Sequence, residues 1–401
     1  MRARSDTSLR IIETVVGSAE SGFSGDGGPA VCASLNEPKG LAFDERGNLI
    51  IADSENHVIR MVDCVSGMIT TIVGLAPTHA ANPGQLTTHP QQEEDDPLTD
   101  ETGSAAAAFA QQADLSGTVR YVVNREAALN RFGGDGGPAL HALLHFPTAL
   151  ACDRHGHLYI ADQMNHRIRR VDKETGIITT IAGVGHPRFS GDGGPSVLAG
   201  LNEPAALALS LDGTILYVAD QSNHRIRAID LFTGTIRTVA GTGISTYNGD
   251  GIPALEATLA GPSGLAMAPD GTLYIADTFN GRIRTLDPVS GVIHTIAGDG
   301  GEYRYEGTAE PPSLSLARPS GIAVDIAGNL YVTDSDNHLV RRWRRETRRL
   351  ERVAGTGIAN FGGDGGPALD ASLRYPFGIL LDDQGHLFVA DTFNHRIRKV
   401  S

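Results

Sequence analysis

The chain has 401 residues, 40% of them hydrophobic, which is ample material for one large core or two ordinary ones. Its formal net charge of −14 repels phosphate backbones over the surface as a whole and disfavours nucleic acid as a partner. Three cysteines, Cys32, Cys64 and Cys152, are too few for a disulfide framework and lack metal-ligand spacing, while 49 Gly and 20 Pro with only 20% charged residues fit an all-β protein with many tight turns.

The first twelve residues carry no apolar signal-peptide region and no stretch is long enough to span a bilayer, so the expectation is a soluble, cytoplasmic protein. Ile12-Glu-Thr-Val-Val-Gly17 matches Ile69-Thr-Thr-Ile-Val-Gly74 position for position. The second of these ends a repeat unit. The first is therefore expected to complete the final unit, which stops at Ser401 without a fourth strand.

The repeat is marked by six copies of one motif, beginning at Asp53, Asp162, Asp220, Asp277, Asp334 and Asp391, in the form Asp-x-x-Asn-His, with Gly281 replacing His once. The last five copies are 58, 57, 57 and 57 residues apart, a period that signals an array of units burying apolar faces against each other. Between the first and second copies about 52 extra residues follow Gly74. Their first half, 77–102, reads as a mobile polar loop, and Ser104 to Gln112 as a short helix capped by Ser104. The insertion, 75–130, is either a solvated excursion or a lid.

In the third unit, strands are predicted at Ala205 to Leu209, Leu216 to Ala219, Arg225 to Ile229 and Thr235 to Ala240, separated by turn signals. The alternation in Arg225-Ile-Arg-Ala-Ile places the arginines on one face and Ile226 on the other, as in a half-buried strand. Four short strands per unit predict an all-β, six-bladed β-propeller of four-stranded antiparallel blades, its ring closed by the N-terminal strand. The blades fall at about 18–74, 131–183, 184–241, 242–298, 299–355 and 356–401 with 9–17.

The units resemble the NHL-repeat family, on Pro262-Ser-Gly-Leu-Ala, Gly271-Thr-Leu-Tyr-Ile-Ala-Asp277 and Asn280-Gly-Arg-Ile-Arg284 and their counterparts elsewhere. A Gly-Asp-Gly-Gly-Pro-Ala box at Gly25, Gly134, Gly191 and Gly363, weakened at Gly249, is similar to the branch found in many bacterial proteins and in the teneurin NHL domain. This box suggests phosphate-cradling loops, but no Lys-Ser/Thr and no helix follow, so tight-turn geometry is the better reading.

In a propeller the loops holding the motif and the box share one face. The six motif aspartates are read as structural, holding their own turns as Asx motifs do. A cation held by a carboxylate ring fails on spacing, and the loop histidines His57, His166, His224, His338 and His395 are likewise spread round the ring. No metal ligand, cofactor or catalytic residue is assigned.

The pairs before each first-strand proline vary where their neighbours repeat: Asn36-Glu37, His145-Phe146, Asn202-Glu203, Ala260-Gly261, Ala317-Arg318 and Arg374-Tyr375. They are either tolerant loop positions or a ligand surface at the channel mouth, made by Glu37, Lys39, His145, Phe146, Glu203, Arg318, Arg374 and Tyr375. The function expected is a binding module engaging a protein or small-molecule ligand there. The alternative is a metal-assisted lyase or hydrolase at the same mouth, as the resemblance to enzymatic propellers implies; only His145 stands where their histidines would. Arg341 to Arg352 carries seven arginines and Trp343, and reads as a solvated outer hairpin with Glu346 and Glu351 as partners, as a protein contact, or as a nucleic-acid surface in which Trp343 stacks.

Overall fold

The computed structural model describes residues 10–75, 111–113, 119–121, 132–287, 289–301 and 315–401. The chain divides into two compact units, residues 1–76 with 132–401, and residues 77–131. In the second unit Gln111–Ala113 pairs antiparallel with Val119–Tyr121. Gln111 and Gln112 are thus extended rather than helical, a correction to the sequence expectation; the rest of that helix, the polar loop over 77–102 and the lid reading lie outside the described residues.

The first unit is a six-bladed β-propeller of four-stranded antiparallel blades. In the third blade the strands are Pro204–Leu209, Ile215–Asp220, Arg225–Asp230 and Ile236–Ala240, counted from the channel outwards. Six apolar clusters hold the ring, each drawing on two neighbouring blades. A blade has two apolar faces, and stacking in a closed ring is the arrangement that buries both. The small residues Gly and Ala after the inner-strand prolines let these strands approach closely. At Gly378 an added Cβ would run into the Lys39 carbonyl of the next blade.

Ring closure follows the sequence expectation. Ile11–Val16 pairs antiparallel with Arg396–Val400 and becomes the outer strand of the sixth blade. Ile12 and Val16 are buried, each in a different inter-blade cluster, while Val15 is half-buried.

The Gly-Gly-Pro segments lie along the outermost strands. Gly28–Pro29 pairs with Met68–Val73, and Gly366–Pro367 with Ile11–Val16. Each covers backbone donors and acceptors that would otherwise form an open sheet edge. The turn needs glycine: at Gly191 φ is +90° and a Cβ would sit 2.7 Å from the Cα of Ala199.

Candidate functional site

The loops of one face are built on a buried charge network that repeats in every blade. Asp53, Asp162, Asp220, Asp277, Asp334 and Asp391 have no solvent exposure, and neither do Arg60, Arg169, Arg227, Arg284, Arg341 and Arg398, each placed seven residues further on in the third strand. In the third blade Arg227 reaches Asp220 at 3.2 Å and the box residue Asp192 at 2.8 Å, and donates to the carbonyls of Gly200 and Ser190. Asp192 also accepts from Thr238 on the outer strand at 2.7 Å. The box is therefore both a turn and the second carboxylate of an Asp–Arg–Asp bridge. Arg60, Arg169, Arg284 and Arg398 repeat it with Asp26, Asp135, Asp250 and Asp364. The half-buried strand read from the sequence needs correction: the face carrying Arg227 is enclosed by the box loop.

Each motif aspartate also organises the channel mouth. Asp220 Oδ1 accepts the backbone N–H of Asn202 at 2.7 Å, and Oδ2 accepts from Asn223 Nδ2 at 2.9 Å. Burial raises its carboxyl to about 6, against the pull of these donors and Arg227. The Asn closes a single turn of 3-10 helix, Gln221–Asn223, and His224 follows in the left-handed region at φ 52°. Its imidazole Nδ1 then accepts the backbone N–H of Gly261 in the next blade at 3.1 Å. His57, His166, His338 and His395 do the same for Phe146, Glu203, Tyr375 and Glu37. The loop histidines stitch neighbouring blades, and this explains their recurrence.

The varying pairs are consequently alike in backbone anchoring and different in side chain. The first residue of each pair donates its N–H to its own blade's aspartate in all six blades. The second adopts a positive φ in five: Glu37, Phe146, Glu203, Gly261 and Tyr375. Arg318 is the exception, and its blade follows the one that carries Gly281 in place of histidine. At Gly281 a Cβ would lie 2.9 Å from the Leu316 carbonyl, so the two departures are one local change.

Around the mouth, Lys39 Nζ lies 4.1 Å from the ring centre of Phe146, which is buried, and 5.0 Å from that of Phe377. Burial raises Glu37 to about 7 despite Lys39. The His57 and His145 rings meet edge to face at 5.4 Å, and Tyr375 meets His338 and Phe393 at 4.5 and 5.3 Å. Glu203 accepts from Ser222 at 2.7 Å, and Arg318 lies over Phe279 and 3.9 Å from Asp336. Arg374 is half-buried, and burial first and the Arg374 charge second lower the proton affinity of His395. Among the described residues no three His, Cys, Asp or Glu side chains converge as a metal-binding group.

The family model described as the teneurin NHL domain matches residues 15–93 and 238–287, and that of the NHL repeat matches 316–343. The chain belongs to the NHL-repeat family. It is 32% identical over 252 residues to Protein SUPPRESSOR OF QUENCHING 1, chloroplastic, of Arabidopsis thaliana, covering 61% of this chain and 24% of that protein. To NHL repeat-containing protein 2 of Bos taurus it is 29% identical over 269 residues, covering 60% of this chain and 37% of the relative. The chain thus spans about a quarter to a third of these relatives. A solved Bacteroides thetaiotaomicron protein of unknown function shares the fold, with a TM-score of 0.64 at 17% identity over 98% of this chain and 76% of that one.

This NHL propeller uses its arginine-rich hairpin differently from two of the sequence expectations. Arg341, Arg342 and Trp343 are buried, and Trp343 packs in the cluster between blades four and five, so it is not available for base stacking. Arg342 and Arg344 pair with Glu351, and Arg345 with Asp270 of the neighbouring blade. Among the described residues no helix is long and apolar enough to cross a membrane.

The histidine stitch of the NHL propeller requires neutral imidazoles, since a protonated ring has no acceptor nitrogen. Burial lowers His166 and His338 to about 4 from an ordinary 6.5. Between those values the unfolded chain binds protons that the folded one refuses, so this contribution is intact above pH 6.5 and is lost as pH falls towards 4. His338→Asn keeps a residue tolerant of positive φ. Its melting temperature is expected to fall less than that of the native chain between pH 6.5 and 4, by the equivalent of about 1 to 3 kcal/mol. Comparing the two slopes by calorimetry isolates the imidazole from carboxylates titrating in the same range; parallel slopes would reject the role.

Proposed function

We propose that this NHL propeller is a binding module that takes a protein or small-molecule ligand at the channel mouth, on a surface of Glu37, Lys39, His145, Phe146, Glu203, Arg318, Arg374 and Tyr375. One observation carries the reading. In every blade the pair before the inner-strand proline has its backbone anchored to the motif aspartate, yet its side chains differ from blade to blade. A residue serving only the repeat has no reason to differ, whereas an asymmetric ligand needs different groups around a symmetric ring. Rigid backbones presenting varied side chains also suit recognition, because little conformational freedom is lost on binding.

Glu203→Ala and Arg318→Ala test it. Both side chains are half-buried at the rim, so each change is expected to alter stability by less than about 1 kcal/mol. Ligands found by a ligand-observed NMR screen against the native protein should bind at least tenfold more weakly to one or both variants. Undiminished binding of every such ligand would place the site elsewhere.

A further inference from the structure

The residue following each inner-strand proline forms a collar just inside the mouth, and five of the six are neutral: Thr148, Ala205, Ser263, Ser320 and Phe377. The sixth is Lys39. Its ammonium is held between the faces of Phe146 and Phe377 rather than by a hydrogen-bonding acceptor among the described residues. Aromatic faces attract a cation but satisfy none of its three N–H donors. Burial holds Lys39 below the usual lysine range, and the charge of Arg318 from blade five pushes the same way. Such an ammonium gains from an anionic acceptor arriving from the channel.

Two further features narrow the class of ligand. Glu37 and Glu55 both act on Lys39 through their charges, so a dianion would meet stronger repulsion than a monoanion. Glu37, raised to about 7 by burial, is partly protonated near neutral pH and can then donate to an incoming carboxylate. Blade six contributes three aromatic rings to this region: Tyr375 and Phe393, which pack edge to face at 5.3 Å, and Phe377, whose ring centre lies 5.0 Å from the Lys39 ammonium. We propose that Lys39 anchors the carboxylate of a small monoanionic ligand whose aromatic or apolar body rests on the rings of Tyr375, Phe377 and Phe146. This assignment rests on the mouth being the binding surface and adds the ligand's chemistry to it.

The test uses the full chain and three probes, phenylacetate, phenethylamine and inorganic phosphate, in titration calorimetry and ligand-observed NMR. Phenylacetate is expected to bind the native protein at least tenfold more tightly than either of the others. Lys39→Met, which keeps the apolar stem, should weaken phenylacetate at least tenfold, and Glu37→Gln should tighten it severalfold by removing the opposing charge. Unchanged phenylacetate binding in Lys39→Met, or a preference for the amine or phosphate, overturns the assignment. If such binding is still lost in Arg318→Ala or Tyr375→Ala, the mouth remains the binding surface and only the carboxylate is wrong. Absence of phenylacetate binding to native protein overturns the assignment outright, and the Lys39-independent screen of the rim variants then decides the mouth separately.

Discussion

Arg227→Met should destabilise the propeller by about 3 to 5 kcal/mol, the range expected when one partner of a buried ion pair is removed and the other is left uncompensated. The methionine preserves much of the aliphatic volume, so the loss is chiefly electrostatic. It strands Asp220, which has no solvent exposure, and takes from Asp192 its 2.8 Å partner. Against a typical domain stability of roughly 5 to 15 kcal/mol this is a large fraction. Adding Asp220→Asn to Arg227→Met should restore part of the loss, because the amide carries no charge to leave unpaired. Chemical denaturation of the two variants and the native chain measures both effects. A cost below about 1 kcal/mol for Arg227→Met would mean that the bridge is not holding the blade.

Removing residues 1–17 should be comparably severe. Ile12 and Val16 are buried in separate inter-blade clusters, and burying each contributes about 1.5 to 3 kcal/mol. Their strand also covers Arg396–Val400, which would otherwise present free backbone donors and acceptors along its length. A melting temperature lowered by several degrees or more, with aggregation on size-exclusion chromatography, is the expected outcome. Unchanged melting and a monomeric elution profile would show that the sixth blade stands without its fourth strand.

The architecture was legible because the repeat is periodic in both turn chemistry and apolar pattern, and the match of Ile12–Gly17 to Ile69–Gly74 disclosed the closure. The arginine network was not, although its signal was present. Arg60, Arg169, Arg227, Arg284, Arg341 and Arg398 each stand seven residues after a motif aspartate, but an arginine in an alternating strand reads as solvent-facing unless a later loop is known to cover it. The covering loop is the Gly-Asp-Gly-Gly box, which lies 34 or 35 residues earlier in the chain than the arginine it meets. Phe132, Phe189, Tyr247 and Phe361, two residues before that box, carried a further unread signal: their rings stack on Arg167, Arg225, Arg282 and Arg396 at 3.7 to 3.8 Å. The histidine stitch joins residues of different blades, and no local pattern shows that His338 Nδ1 meets the N–H of Tyr375. Trp343 was misleading for the opposite reason, since its arginine-rich neighbours obscured its place facing the core.

A division of labour runs around the mouth, in which the motif aspartates hold the fold and the varying side chains beside them form the proposed recognition surface. Thermal melts of Asp220→Ala and Glu203→Ala, made side by side, test it most directly, because the two residues belong to the same loop system and differ in role. Asp220 ties together Asn202, Asn223 and Arg227, whereas the Glu203 carboxylate accepts from Ser222. Asp220→Ala is expected to cost about 3 to 5 kcal/mol and Glu203→Ala less than about 1 kcal/mol. A loss for Glu203→Ala equal to or larger than that for Asp220→Ala would contradict the division and with it the assignment of scaffold and site.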